Sequence, residues 1–289
     1  MALLARRLSA LLLLPLYLAS PLRAQPAPVA TRPATRPAVT DPNSGPPDVA
    51  APKTNAAGQI DAGFRSMHQS FLARGKAGPI GVLFLGDSIT QFWSRTPAAQ
   101  AVFDAHYAKY QPANFGISGD KTQHVLWRID NGELDGIHPR VVVLLIGTNN
   151  FRDPEDAIYR GDKKIIDEIH QKLPDSGLII MGIFPRGDGR TNALLDSRYP
   201  DGPHIIDGRA KLQAVNAQLA KLDDGKKTRY LDIWNKLLDS NGMLTTDIMA
   251  DYLHPTTKGY QIWADAMQPL LDEMMAPWPA TAPTTAPAK

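Results

Sequence analysis

A run of six aliphatic residues, 141–146, constrains the fold of this chain more than any other segment. A strand formed by Val, Leu and Ile alone is apolar on both faces, which is typical of a parallel sheet covered by helices on both sides. Shorter apolar runs alternate with segments of helical spacing. Strands are predicted at residues 80–85, 113–115, 141–146, 178–183 and 229–233, and helices at residues 59–73, 98–107, 122–129, 154–172, 206–222 and 256–275. This alternation predicts an α/β fold with about five parallel strands.

The two ends of the chain differ in composition from its middle. Residues 1–24 contain two arginines, an apolar run and a final alanine, which is typical of a secretory signal peptide. The apolar run is shorter than the ~20 residues of a membrane-spanning helix, although an uncleaved N-terminal anchor stays open. Residues 25–55, rich in Pro, Ala and Thr, predict a disordered linker, and residues 277–289 predict a similar tail. We therefore expect one domain at residues 56–276 and an exported protein, periplasmic or extracellular.

Composition excludes several classes of function. The chain has no cysteine, so neither a disulfide nor a thiolate nucleophile is available. The net charge is +2 and no Lys- or Arg-rich run occurs, so no nucleic-acid partner is expected. The seven histidines are scattered without metal-ligand spacing, so we expect no metal. Residues 187–192 lack the third glycine of a dinucleotide-binding motif, and Asp120 separates Gly119 from Lys121 where a phosphate-binding loop needs them adjacent, so we expect no cofactor.

Four polar segments adjoin the predicted strand ends or the start of the last helix. Residues 86–88 follow the first strand, residues 114–120 overlap and follow the second, and residues 147–150 follow the third. Residues 251–255 come just before the last helix. Ordinary turn formation accounts for any one of them, because Gly, Asn and Asp dominate turns. The carboxyl ends of parallel strands share one edge, where ligands bind in open α/β sheets, so all four together predict a functional site.

Ser88 is the candidate nucleophile of this site. A serine hydroxyl needs an adjacent base, and His254 is the candidate base. Asp251 is placed to accept the imidazole Nδ1–H and leave Nε2 free for the serine. Two simpler alternatives stay open: Asp87 or Ser88 caps the following helix, and Asp251 and His254 form an ordinary surface hydrogen bond.

Acyl transfer also needs N–H groups that stabilise the oxyanion of a tetrahedral intermediate. Gly119 suits this role because its backbone can approach a substrate without a Cβ in the way. Asn149 offers two uncharged side-chain N–H groups. The backbone N–H of Ser88 is the third candidate donor.

Residues 86–88, 114–119, 147–149 and 251–254 resemble the four sequence blocks of the SGNH (GDSL-type) hydrolases. The resemblance spans roughly residues 80–271 and implies a three-layer α/β/α, flavodoxin-like fold and ester hydrolysis without a metal. It implies these roles: Ser88 as nucleophile, Asp251 as orienting acid, His254 as base, and Ser88, Gly119 and Asn149 as the oxyanion hole. Within the family, residues 114–120, 124–128 and 131–134 are similar to the catalytic subunits of platelet-activating-factor acetylhydrolase.

Two features depart from the family pattern. Residues 147–150 read Gly-Thr-Asn-Asn, whereas Gly-x-Asn-Asp is commoner in the family. The segment 186–206 is longer than in the acetylhydrolase subunits and rich in charge, and we expect it to form a wall of the pocket. His204 within this segment is expected to be a loop residue rather than a catalytic one.

The sequence favours a secreted serine esterase that removes short acyl groups, acetyl above all. Export and a polar pocket wall favour an acetylated carbohydrate as the substrate. A lipid-directed esterase is the alternative, similar to a lysophospholipase or a platelet-activating-factor acetylhydrolase. A non-catalytic carbohydrate-binding module is a further hypothesis, but a module that only binds has no need of an aligned base.

Overall fold

The computed structural model describes residues 43–187, 195–196, 204–205 and 208–276. Seven strands occur in this part of the chain: β1 (Val82–Gly86), β2 (Pro112–Gly116), β3 (Val141–Leu145), β4 (Gly177–Met181), β5 (Leu195–Asp196), β6 (His204–Ile205) and β7 (Thr228–Leu231). Five of them form a parallel sheet in the order β2-β1-β3-β4-β7. The prediction of a five-stranded parallel sheet is confirmed.

The described helices are α1 (Ala62–Lys76), α2 (Ser88–Gln91), α3 (Pro97–Tyr107), α4 (Thr122–Asp130), α5 (Glu155–Lys172), α6 (Gly208–Leu219) and α7 (Thr257–Met275). Side-chain caps fix where several of them begin, because the first backbone N–H groups of a helix have no partner within it. Asp61 caps α1, Thr96 caps α3 and Thr256 caps α7. Both boundaries of each of the six helices predicted from the sequence lie within three residues of their predicted positions.

Alternate residues of the strands pack on opposite faces of the sheet. Leu83 and Leu85 of β1 pack with α1, α4, α5 and α6 on one face. Val82 and Phe84 pack with α3 and α7 on the other. All four side chains are fully buried. The resulting architecture is the expected three-layer α/β/α fold.

Part of the predicted linker belongs to the folded domain. The linker is predicted to run to residue 55, but residues 43–55 lie against the folded domain. The Asn43 side chain accepts the N–H of Thr54 and donates to its carbonyl, at 2.8 and 3.1 Å. The Ala51 N–H donates to the carbonyl of Gln123 in α4 at 3.0 Å. Polar contacts hold this stretch, so its lack of apolar residues does not leave it unstructured.

The segment 186–206, predicted to be a loop, contains two short strands. β5 and β6 pair antiparallel there, with His204 in β6. Most of the predicted pocket wall, like residues 1–24, 25–42 and 277–289, lies outside the described residues. No helix in the part of the chain that the structure describes is both long and apolar enough to cross a membrane.

The short helix α2 packs directly on the end of β2. A Cβ at Gly116 would lie 2.3 Å from the Gln91 nitrogen and 2.7 Å from the Asp87 carbonyl oxygen. Both are backbone atoms, so neither can move aside as a flexible side chain would. The helix that begins at Ser88 is therefore positioned by the absence of a side chain at residue 116.

Gly116→Ala is expected to lower the free energy of unfolding by about 2 kcal/mol or more, because overpacking a closed contact typically costs about 1–3 kcal/mol. Chemical denaturation of both proteins measures the difference. Gly45→Ala is the matched control, because a Cβ at residue 45 meets nothing within 4 Å. Equal stability of Gly116→Ala and the unsubstituted protein would show that the α2–β2 contact is looser than described.

Candidate active site

Three strand ends bring three of the polar segments to one edge of the sheet. β1 lies between β2 and β3, and Gly86 at its end is level with Gly116 and Leu145. The loops that follow these strands therefore leave the sheet side by side. The segment 251–254 reaches the same edge from the start of α7, as the next contacts show.

Ser88, His254 and Asp251 form a continuous hydrogen-bonded row. Ser88 Oγ lies 2.9 Å from His254 Nε2, and His254 Nδ1 lies 2.7 Å from Asp251 Oδ2. An ionised carboxylate only accepts hydrogen bonds, so Nδ1 carries the proton and Nε2 is left to accept from the serine hydroxyl. The Ser88 residue is only 3% exposed, whereas His254 is half-buried at the surface of the site.

Asp251 is held as a carboxylate by the loop that it begins. Its Oδ1 accepts the backbone N–H groups of Leu253 and His254, at 3.1 and 2.7 Å. Burial alone would raise the pKa of Asp251, but the hydrogen bonds from His254 and Leu253 outweigh it and keep the pKa below its ordinary value. The loop turns back at Tyr252, whose φ of +58° lies in the left-handed region that non-glycine residues rarely adopt.

Two of the predicted oxyanion donors lie on neighbouring loops. Gly119 has a φ of +75°, and no group among the described residues accepts its N–H. The Asn149 Nδ2 donates to the Asp120 carbonyl at 2.8 Å, and its other contact, with Asp87 Oδ2, is long at 3.4 Å. One Asn149 N–H therefore fixes the side chain, and the other makes only a weak contact.

Asp87 and Ser88 have separate roles at the start of α2. Asp87 Oδ1 accepts the Ile89 N–H at 2.9 Å, so the capping alternative holds for Asp87. The Ser88 side chain contacts His254 instead. The backbone N–H of Ser88 lies in the first turn of α2, where backbone donors lack an intrahelical partner. Burial raises the pKa of Asp87 to about 7, although the Ile89 N–H favours the carboxylate.

Lys53 is a site residue that the sequence did not reveal. Its Nζ donates to the Ser118 carbonyl at 2.7 Å and pairs with Asp120 Oδ1 at 2.7 Å. These contacts hold the loop on both sides of Gly119. Lys53 was missed because it lies in the Pro- and Ala-rich stretch that reads as a linker.

A buried arginine also holds the loop that contains Gly119 and Asp120. Arg128 pairs with Asp120 Oδ2 at 3.0 Å and with Glu133, and it donates to the carbonyls of Phe115 and Gly86 at 3.0 and 3.3 Å. The arginine and both carboxylates are at most 2% exposed. A sequence signal existed, because Arg128 falls on the apolar face of the predicted helix 122–129.

The loop that carries Asn149 is held on two further sides. Arg186 Nη1 donates to the Thr148 carbonyl at 2.8 Å, and its guanidinium lies 4.3 Å from the centre of the Phe151 ring. Asn150 Oδ1 accepts the Thr122 N–H at the start of α4, at 2.9 Å. The residue that departs from the commoner family pattern, Asn150, thus ties this loop to α4.

Asp162 of α5 is a second buried carboxyl near the site. It is 2% exposed, and neither oxygen has a hydrogen-bond partner among the described residues. Its Oδ2 lies 3.1 Å from where a Cβ at Gly147 would be, next to the start of the Asn149 loop. Burial raises the pKa of Asp162 well above its ordinary value, and the charge of Asp87 raises it further.

The other described histidines with side-chain contacts do not join the row at Ser88. They contact other groups: His68 contacts Glu133, His106 contacts Gln268, His124 accepts the Lys121 N–H, and His170 contacts Thr228. Within the described ranges, no group of three or more His, Asp or Glu is arranged to hold a metal ion.

Comparison with known proteins agrees on one family. The sequence model of the GDSL-like Lipase/Acylhydrolase family matches residues 84–262. Platelet-activating factor acetylhydrolase IB subunit alpha1 of Rattus norvegicus is 33% identical, over 78% of this chain and 92% of the relative. Subunit alpha2 of the same organism is 32% identical, over 78% and 91%. A GDSL-like lipase from Bacteroides thetaiotaomicron shares the fold, with a TM-score of 0.53 and 20% identity over 71% of this chain and 97% of that one.

Asp162→Leu, which replaces two oxygens by two methyl groups, is expected to stabilise the protein above neutral pH. A carboxyl whose pKa is raised by folding stabilises the native state fully below the unfolded pKa, near 4, and this contribution is lost as pH rises towards the folded pKa. The increase in the free energy of unfolding should therefore be largest at pH 8, about 1–3 kcal/mol, and small at pH 4.

Thermal unfolding from pH 4 to pH 9 measures this difference. Asp130→Asn is the control, because Asp130 is exposed on the same layer of helices. A gain that is equal at pH 4 and pH 8 would mean that Asp162 is not the titrating group.

Proposed function

The chain belongs to the GDSL-like lipase/acylhydrolase family and is an ester hydrolase, and we propose that it is a serine esterase that removes short acyl groups, acetyl above all. The observation that carries this proposal is the hydrogen-bonded row of Ser88, His254 and Asp251, with contacts of 2.9 and 2.7 Å. The family membership argues against a module that only binds carbohydrate.

The proposed reaction proceeds through a covalent ester of Ser88. His254 Nε2 takes the hydroxyl proton while Oγ attacks the carbonyl carbon. The N–H groups of Gly119, Asn149 and Ser88 stabilise the negative oxygen that forms. The bond to the alcohol oxygen then breaks, and the alcohol leaves with the proton from His254. Water, activated by the same imidazole, releases the carboxylic acid and restores Ser88.

We propose an acetylated carbohydrate as the substrate. The partial exposure of His254 and Asp251 at the site and the signal-like residues 1–24 support a soluble, extracellular polymer. Export itself is a proposal, and N-terminal sequencing of protein recovered outside the cytoplasm tests it. A lipid ester is the second candidate, because the two curated relatives described above are named acetylhydrolases of platelet-activating factor. Both candidates share the acetyl group and differ in the alcohol.

Ser88→Ala should lower kcat for p-nitrophenyl acetate by roughly 10⁴- to 10⁶-fold, because no nucleophile would remain to form the acyl-enzyme. Steady-state kinetics give the rate, and covalent labelling by a fluorophosphonate, read by mass spectrometry, gives an independent measurement. Ser94→Ala is the control, because Ser94 is exposed and its hydroxyl donates only to the Gln91 carbonyl. Turnover close to normal in Ser88→Ala would refute the nucleophile assignment.

Activity on p-nitrophenyl esters should fall steadily from acetyl to octanoyl if a short acyl group is the natural one. Acetate release from acetylated xylan and pectin, compared with release from a 2-acetyl phospholipid, identifies the alcohol. A preference for octanoyl would contradict the short-acyl proposal, and release from the phospholipid alone would replace the carbohydrate with the lipid candidate.

A further inference from the structure

A cavity of about 430 Å³ opens beside the imidazole of His254. Its lining includes Phe92, Arg95, Asp251 and Tyr260, and the candidate oxyanion donors are not part of it. The imidazole hands its proton to the departing alcohol, so the alcohol part of a bound ester extends past His254 rather than towards the oxyanion donors. The cavity, here called the Arg95 pocket, adjoins the base and not the oxyanion donors, as the alcohol part of the ester would.

Arg95 lies in a row of planar groups in contact with one another at this pocket. Its guanidinium carbon lies 4.5 Å from the centre of the Phe92 ring, and the Phe92 ring lies 4.9 Å from the His254 ring. The backbone N–H of Arg95 also donates to the Phe92 carbonyl at 3.0 Å, which closes a tight turn. These contacts fix the position of the guanidinium charge relative to His254, although the Arg95 side chain is exposed.

Within the described part of the chain, the guanidinium of Arg95 forms no ion pair. No carboxylate among the described residues lies within 4.0 Å of it. Asp251, which lines the same pocket, is already engaged by the side chain of His254 and two backbone N–H groups. The pocket therefore presents a cation whose planar donor edge suits a carboxylate or phosphate.

We propose that the Arg95 pocket binds an anionic group, a carboxylate or a phosphate, on the alcohol part of the ester. The inference rests on the proposed esterase function and adds the substrate class: esters of acidic alcohols. The carboxylate of an acidic sugar and the phosphate of a glycerophosphate offer the same chemistry to Arg95. Neutral alcohols gain nothing from this residue.

Matched ester pairs test the proposal on the full chain. One pair is an acetylated galacturonide and its neutral methyl ester, and the other is acetylated glycerol phosphate and acetylated glycerol. The quantity measured is the ratio of kcat/KM for the anionic member to that for the neutral member. Because a hydrogen bond to a charged group contributes about 1.5–3 kcal/mol, Arg95→Gln should lower this ratio roughly 10- to 100-fold.

Two further variants complete the test. Arg95→Lys should restore part of the ratio, because it keeps the charge without the planar fork. Arg65→Gln should leave the ratio unchanged, because Arg65 is an exposed arginine on α1. A general structural defect would lower both members equally and leave the ratio as it is.

The outcomes separate the two proposals. A fall of the ratio in one or both pairs supports the Arg95 pocket, and the pair that responds identifies the sugar or the glycerophosphate as the source of the anion. Unchanged ratios in Arg95→Gln, with normal hydrolysis of p-nitrophenyl acetate by the unsubstituted chain, overturn the pocket alone. Absence of that hydrolysis and of fluorophosphonate labelling at Ser88 overturns the proposed function and the pocket with it.

Discussion

The candidate site depends on the interactions of one buried group, the guanidinium of Arg128. It donates to the carbonyls that end β1 and β2 and pairs with Asp120, next to Gly119. Removing charges from water costs several kcal/mol per ion, and close opposite charges together with hydrogen bonds compensate for this cost. Arg128 pairs with two carboxylates and donates to two carbonyls, so its charge and that of Asp120 are compensated in this arrangement of the strand ends and the loop.

The same edge of the sheet concentrates carboxyl groups. Asp87, Asp120 and Asp162 are all buried there, and each has a raised pKa because of burial. Lys53 and Arg128 compensate Asp120, whereas Asp162 has no described partner. The loops that carry the candidate oxyanion donors are therefore held by charge pairs and lie beside a buried carboxyl that has no hydrogen-bond partner among the described residues. Departures from complete polar pairing are expected where a fold positions reactive groups.

Much of the fold could be predicted because its signals are local. Aliphatic runs predict strands that are buried on both faces, and segments with helical spacing predict the helices that cover the sheet. The position of Ser88 at a strand end could be predicted in the same way. Lys53 could not, because a Pro- and Ala-rich stretch carries no periodicity, and its contacts are with Ser118 and Asp120, far away in the chain. The proposed role of Arg95 depends equally on a contact that the sequence does not reveal, that of Phe92 with His254.

The sequence by itself determined the sheet, its helical layers and the chemical types available at the strand ends, because hydrophobic periodicity and turn residues act over a few neighbours. Only the tertiary structure decided that His254 meets Ser88 across 166 positions, at 2.9 Å. It also decided which of the described charges are paired, since Coulomb interactions depend on distance in space and on burial. Neither the distance between two charges in space nor their burial can be read from the spacing of residues along the chain.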